Sequence, residues 1–308
     1  MPAAARPARP APRLPQLDGV LVLDKPEGPT SAACLGAIKR LGQKKIGHAG
    51  TLDPLASGVL VVLLGQATKL AGHITCAVKT YKGRLRLGVT TDTYDVQGKV
   101  TAEADCSHVT VEALNRAILD WKGTTVQEVP AYSAAKHQGK PLYALARAGE
   151  EVPVKSKEIK VFEAEALDIA LPETDFRVTC SAGTYVRSLV HSLGMRFDCG
   201  AILTALRREE SRPFTLDRAV PLQAVLDDPD MLPGRLIGIA DALPDWPQAR
   251  LSAEDVRKVK NGIRLSTHGQ AGPGARALFL DEEGVPLALA ESVPEAGDVR
   301  WSILRGLW

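Results

Sequence analysis

Asp53 is followed by a proline and set among glycines. Residues 47–60 read Gly-His-Ala-Gly-Thr-Leu-Asp-Pro-Leu-Ala-Ser-Gly-Val-Leu. Pro54 pushes Asp53 out of the α region and fixes the chain just after it. Gly47 and Gly50 suit a backbone that turns sharply or lies close to another segment. The result is an acid held in a defined pose on a loop, with His48 nearby and an apolar run behind. Such loops, anchored on a rigid scaffold, often carry chemistry. The same residues also make an ordinary structural turn, and the local sequence leaves both readings open. Arg187 is a second residue that asks for a task. It falls in the first turn of an expected helix, where a cation opposes the helix dipole by a few tenths to about 1 kcal/mol. It therefore needs an anionic partner or a function.

The elements that must position these residues follow from periodicity. Residues 18–25 are a short apolar run bounded by turn residues, a buried strand. A turn ends in a helix N-cap at Thr30 or Ser31, and Leu35, Ile38 and Leu41 then share one helix face before Gly42 closes it. Residues 59–64 are a buried strand or helix. In residues 77–87, Tyr81, Gly83, Leu85 and Leu87 alternate with Lys82, Arg84 and Arg86, which predicts a strand with one basic face and places Tyr81 as a core aromatic. Thr110 caps a helix carrying Leu114, Ala117, Ile118 and Trp121. Residues 130–139 give a polar loop or short helix with no generic structural signal, and residues 143–149 a short helix. Phe176, Val178 and Cys180 alternate as a strand, and residues 181–184 turn the chain into the helix that bears Arg187. Residues 203–208 begin a further helix-like segment. Residues 221–246, rich in Asp, Pro and Leu, look like a hinge. Beyond them, three short strand-like runs separated by turns suit a small β-rich domain.

Composition narrows the class. The chain has 308 residues, 45% apolar and 24% charged, which is ordinary for a soluble globular protein. The apolar run at 59–64 is far too short to cross a membrane. Residues 1–16 are mostly Ala, Pro and Arg with no apolar core of a signal peptide, and are expected to be a disordered tail. The five cysteines are dispersed without a Cys-x-x-Cys pair, which argues against a disulfide framework and a zinc site, and points to a reducing cytoplasm. Residues 1–91 hold 13 Lys and Arg against four acids, a balance of +9, whereas the rest hold 25 against 32, or −7. The Asp53 loop thus lies in the basic third of the chain, which points to a polyanionic partner, nucleic acid first.

Six ordered motifs resemble one family. Gly19-Val-Leu-Val-Leu-Asp-Lys25-Pro-Glu-Gly-Pro-Thr-Ser31, the Asp53 stretch, and Cys180-Ser-Ala-Gly-Thr-Tyr-Val-Arg187-Ser-Leu look like the bacterial tRNA pseudouridine-55 synthases, the TruB family. Residues 63–69, 86–95 and 132–136 match the same family, and the resemblance runs from about residue 17 to 216.

The resemblance implies an α+β fold: a mixed, mostly antiparallel catalytic sheet over residues 17–246 and a small β-rich PUA-type RNA-binding domain over 247–308. It implies isomerisation of a T-loop uridine by base flipping, with no cofactor and no metal. The C1′–N1 bond breaks, uracil rotates, and it rejoins through C5, with a carboxylate near C1′ or C6 as nucleophile or cation stabiliser. Asp53 matches that carboxylate, Arg187 its paired arginine, and Tyr81 the tyrosine that stacks on the target base. His48, Lys25, Tyr185 and Leu206 match substrate-binding positions, with Lys25 matching a lysine that supports the active site or contacts the RNA. Lys69, Lys82, Lys136 and Arg207 are expected RNA contacts. The expected partner is the T-arm of tRNA, met by a cytoplasmic monomer with no obligatory protein partner and no membrane.

Overall fold

The computed structural model describes residues 14–295 and 297–308. Most of the expected tail, residues 1–13, lies outside them. Its last residues are not loose: the Leu14 N–H donates to Leu41 O at 2.9 Å, and the buried Gln43 amide binds Pro15 O and the Leu17 N–H, both at 2.8 Å.

β1 (Gly19–Lys25) is the strand its apolar run predicts, antiparallel to β3 (Ala56–Leu64) along its whole length. Between them, α1 (Ser31–Arg40) begins at Thr30, whose hydroxyl accepts from the Ala33 N–H. It stops at Leu41, ahead of the left-handed Gly42. β2 (Ile46–Ala49) sets His48 opposite Val62 of β3. The chain from Gly50 to Leu55 is thus slung between two paired strands, and Asp53 rides on it. A 3-10 turn and α2 (Ala71–Thr75) lead to β4 (Lys79–Leu87), which alternates as expected. β5 (Val89–Thr91) and β6 (Val100–Glu103) form a ribbon around the Asp92–Gly98 turn. α3 (Val111–Leu119) is capped by Thr110 and followed by β7 (Gly123–Glu128). Residues 130–139 form a loop ending in a tight hairpin of β8 (Lys136–His137) and β9 (Lys140–Pro141), with α4 (Leu142–Arg147) after it. β10 (Ser156–Ala170) and β11 (Glu173–Cys180) are a long hairpin feeding α5 (Val186–Arg196), and β12 (Ala201–Ser211), β13 (Phe214–Thr215) and β14 (Val220–Pro221) complete the sheet. Its path is β14-β1-β3-β12-β4-β11-β10-β7, antiparallel except at β14–β1 and β3–β12.

Two expectations fail here. Residues 203–208 are strand, not helix, because β12 lies between β3 and β4 and its backbone is consumed by both neighbours. Residues 221–246 are no loose hinge. α6 (Leu222–Asp227) and α7 (Leu232–Arg235) bury Val225 and Leu232 in the main core, and Ile237 exchanges backbone hydrogen bonds with Val20 at 2.8 and 2.9 Å.

A second sheet follows: β15 (Gln248–Arg250), then α8 (Ala253–Lys260), β16 (Leu265–Ser266), β17 (Arg276–Leu280), β18 (Pro286–Glu295) and β19 (Asp298–Gly306), in the order β15-β17-β18-β19-β16. It has a small core of its own around Val259, Phe279 and Ala288, and it also packs on the first sheet. Alternation along β1 and β3 sends Leu21, Leu23, Leu60 and Val62 into the core beneath α1, and Val20, Val22, Val59 and Val61 to the other face. There they share one cluster with Leu278, Leu280, Leu289 and Leu307 of the second sheet.

Gly58 is required where β3 meets β12. Its φ is +98°, and a Cβ there would stand 2.2 Å from the Arg208 carbonyl oxygen directly opposite. Neither backbone can yield without parting the central sheet. Gly58→Ala is expected to lower the unfolding free energy by roughly 3 kcal/mol, measured by urea denaturation. A loss below about 1 kcal/mol would show that the strands can separate here at little cost.

Candidate active site

The Asp53 loop is fixed from three sides. The Ser31 hydroxyl, at the first turn of α1, donates to Leu52 O and accepts from the Leu52 N–H, both at 2.9 Å. The fully buried Lys25 ammonium donates to Ala56 O at 2.6 Å, Pro26 O at 2.9 Å and Pro54 O at 3.5 Å. The buried Arg208 guanidinium donates to Val59 O at 2.7 Å, Gly50 O at 2.9 Å and Thr51 O at 3.5 Å. The carbonyls flanking Asp53 therefore meet cations or a hydroxyl, and the loop has no slack.

Arg187 supplies the carboxylate's partner. It is the second residue of α5 and is buried. Its Nε lies 2.9 Å from Asp53 Oδ2 and 3.7 Å from Asp95 Oδ2. Its Nη1 donates to Thr93 O at 2.7 Å and its Nη2 to Tyr132 O at 3.0 Å. A planar fork satisfies such spread acceptors where a single ammonium would not. The awkward cation at a helix start is thus answered by two carboxylates and two carbonyls. Asp95 is oriented in turn: its Oδ1 accepts from the Thr93 hydroxyl at 2.7 Å and the Gln97 N–H at 3.0 Å.

Two cavities meet at the Asp53–Arg187 pair. The inner one, about 230 Å³, is walled by Tyr81, Tyr185, Leu206 and Arg208. It is smaller than the about 300 Å³ at which drug-sized sites begin, so it suits a single base. The outer one, about 660 Å³, is open and contains His48, Asp95, Lys99, Tyr132 and Arg147. Tyr81 is buried, and that burial pushes its phenol pKa up, with the Arg208 guanidinium opposing. It is a core aromatic by packing and a cavity wall by position. Tyr185 is held by the Gln127 amide, which accepts from its N–H at 2.7 Å and donates to its carbonyl at 3.0 Å. Burial, and then Arg208, hold the His48 imidazole below its usual pKa.

Lys79 also lines the inner cavity. Its ammonium donates to Thr75 O at 2.9 Å and Ala77 O at 2.8 Å. Burial, helped by Arg208, pulls its pKa from 10.5 to about 8. The unfolded chain therefore binds more protons than the folded one between these two values, so this group makes stability rise with pH across that window. Relative to Lys79→Met, the wild type is expected to gain on the order of 2–3 kcal/mol from pH 8 to pH 10.5. Paired denaturation curves at several pH values check this; parallel pH profiles would rule it out.

Residues 39–186 match the model of the TruB family pseudouridylate synthase (N terminal domain). The chain is 53% identical over 300 residues to the tRNA pseudouridine synthase B of Nitratidesulfovibrio vulgaris (strain DSM 19637 / Miyazaki F), covering 95% of this chain and 97% of that protein. The chain belongs to the TruB family. It is also 39% identical over 301 residues to the tRNA pseudouridine synthase B of Geobacter sulfurreducens, covering 95% of each. Among solved structures, a chain of a Cbf5-Nop10-Gar1 complex superposes with a TM-score of 0.72 at 24% identity, over 94% of this chain and 85% of that one. That likeness concerns the fold, and the mixed, mostly antiparallel sheet with a second β-sheet agrees with it.

In this TruB-family chain, several residues expected at the RNA stand elsewhere. Of the two roles open to Lys25, the structure shows the supporting one: its buried ammonium is spent on carbonyls of the Asp53 loop. Lys69 donates to Gly306 O at 2.6 Å and Trp308 O at 3.1 Å, tying the two sheets together. Lys82 and Arg207 lie opposite one another on β4 and β12, next to Tyr81 and Arg208, and strand alternation sends them to the opposite face of the sheet. There Lys82 faces Asp175 at 3.8 Å and Arg207 pairs with Asp24 at 2.9 Å. Arg84 also binds Asp175, so the basic face of β4 is met by acid from β11. Lys136 is exposed on the β8–β9 hairpin, beyond the Tyr132–Ala134 wall of the outer cavity. Asp53, Tyr81, Arg187, Tyr185, Leu206 and His48 do converge. Arg208, Lys79 and Asp95 were not among the expected site residues. No helix among the described residues is long and apolar enough to cross a membrane.

Proposed function

We propose that this chain isomerises uridine to pseudouridine at position 55 in the T-loop of tRNA, alone and without cofactor or metal. The observation that carries the reading is a carboxylate, Asp53, held by a buried arginine at the mouth of a one-base cavity. Family membership and near full-length likeness to proteins named tRNA pseudouridine synthase B support the substrate.

In this reading the target uridine leaves the T-loop stack and enters the inner cavity between Tyr81 and Leu206. Asp53 then serves the carbon from which the base departs, as nucleophile or as the anion facing a developing oxocarbenium. The C1′–N1 bond breaks, the uracil turns within the cavity, and C5 bonds to C1′. The C5 proton is lost and N1 gains one, so the net change is isomerisation. His48, its pKa held down, offers a largely uncharged ring to the displaced RNA at neutral pH. Residues 17–246 do the chemistry and 247–308 add RNA-binding surface. The protein works as a cytoplasmic monomer.

The test is direct. Purified protein is incubated with an unmodified tRNA transcript, and pseudouridine is mapped by carbodiimide labelling and primer extension. One modification at the T-loop uridine is expected, and none in a transcript with cytidine there. Modification in another arm, or none at all without added guide RNA or protein, would overturn the reading.

A further inference from the structure

Between Thr93 and Asp95, both of which face Arg187, the chain turns through Tyr94. Its φ is +64°, the left-handed region that disfavours a bulky side chain. The turn has a geometric result. The Thr93 carbonyl and the Asp95 carboxylate both point at the Arg187 guanidinium, at 2.7 and 3.7 Å, while the Tyr94 ring points away. That ring lies flat on His191, with centroids 3.8 Å apart and planes 9° from parallel. His191 is one helical turn beyond Arg187 on α5, so both occupy one helix face. One helix thus grips one loop at two points: Arg187 takes the polar groups on either side of Tyr94, and His191 takes the ring between them.

We propose that the Tyr94–His191 stack is a positioning clamp for Arg187, and through it for Asp53. Neither ring lines the inner or the outer cavity. The buried Nδ1 of His191 finds no hydrogen-bond partner among the described residues. Its face is what the structure uses. The strained backbone at Tyr94 is held by the stack, by the Leu203 N–H, which donates to the Tyr94 carbonyl at 3.1 Å, and by its own N–H, which donates to Thr91 O at 3.2 Å. Without the stack the turn relaxes, Thr93 O and Asp95 leave Arg187, and the guanidinium regains freedom at the point where it aims Asp53.

The proposal rests on the pseudouridine-synthase reading, and single-turnover kinetics on a tRNA transcript separate the two. No conversion by wild type sinks that reading, whatever the variants do. Given wild-type conversion, His191→Ala and Tyr94→Ala are expected to slow the chemical step ~10- to 100-fold, the usual cost of a misplaced catalytic group. Their Kd for tRNA should stay within about threefold, because neither ring lines the cavities. His191→Phe and Tyr94→Phe keep an aromatic face and should restore most of the rate. Tyr94→Gly discriminates further: it relieves the backbone strain but removes the ring, and the clamp predicts it as slow as Tyr94→Ala. Thermal melts establish that each variant is folded; if an alanine variant is not, the glycine and phenylalanine variants carry the decision. A wild-type rate in His191→Ala or Tyr94→Gly, or a loss expressed in Kd alone, would overturn the clamp.

Discussion

Asp53→Asn is expected to remove pseudouridine formation, with a fall in single-turnover rate of about 10⁴-fold or more. The substitution keeps the shape of the side chain and an oxygen for the Arg187 Nε to meet at 2.9 Å, so the loop should hold its place. Its backbone is secured independently, by Ser31, Lys25 and Arg208. What is lost is the negative charge that attacks or faces the departing sugar carbon. Asn cannot replace it, since a neutral amide is a weak nucleophile and gives no ionic stabilisation. Affinity for tRNA should stay within about threefold, because binding draws on the whole RNA contact and not on one carboxylate. A residual rate within tenfold of wild type would remove Asp53 from the chemistry.

Arg187→Met carries the second large effect, on stability as well as rate. Arg187 is buried and meets four acceptors from three segments. Without it, the carboxylates of Asp53 and the buried Asp95 face a common space with no cation between them, and two carbonyls lose their donors. Removing one partner of a buried ionic cluster costs about 3–5 kcal/mol. The rate should fall on the order of 10³-fold, since Asp53 loses the group that aims it. Arg187→Lys restores charge but not the fork. One ammonium cannot serve Nε, Nη1 and Nη2 positions at once, so it should recover stability more than rate. Urea denaturation and single-turnover assays read the two effects separately. A Met variant as stable as wild type would mean that the buried cation is not needed to hold these segments together.

How far the sequence could be read depended on whether a residue's task was local. β1, the Thr30 cap, the alternation of β4 and the helix start at Arg187 all come from spacing within one element, and all appear in the fold. The need of Arg187 for an anion was legible too, because a cation in a first helical turn is locally unfavourable. Tasks set by distant backbone were not legible. Lys69 is expected at the RNA, and Lys25 at the RNA or in support of the site, because lysine on a basic segment usually faces solvent. Both instead donate to carbonyls of chain far away in sequence or folded back on them. β12 was misread because its charged run, Arg207 to Glu210, obscures a period of two, and bulges between Leu203 and Ala205 and between Arg208 and Glu210 break it further. A helical reading of that segment gives Arg208 no place in the core, although it is among the largest fully buried side chains of the molecule. One signal was available: Tyr81 facing the site implies that Lys82 does not.

The cluster shared by the two sheets has a consequence for how a substrate is chosen. Val59 and Val61 belong to the strand that follows the Asp53 loop, Val20 and Val22 to its neighbour β1, and all four pack on Leu278, Leu280, Leu289 and Leu307. The Lys69 ammonium pins the same seam through Gly306 and Trp308. The small sheet therefore cannot swing to follow RNAs of different shape. Any surface it offers lies at a set reach from the carboxylate, as the two ends of a calliper with a locked screw. Under the proposed function, a folded tRNA is gauged by its dimensions before its uridine is tested by chemistry.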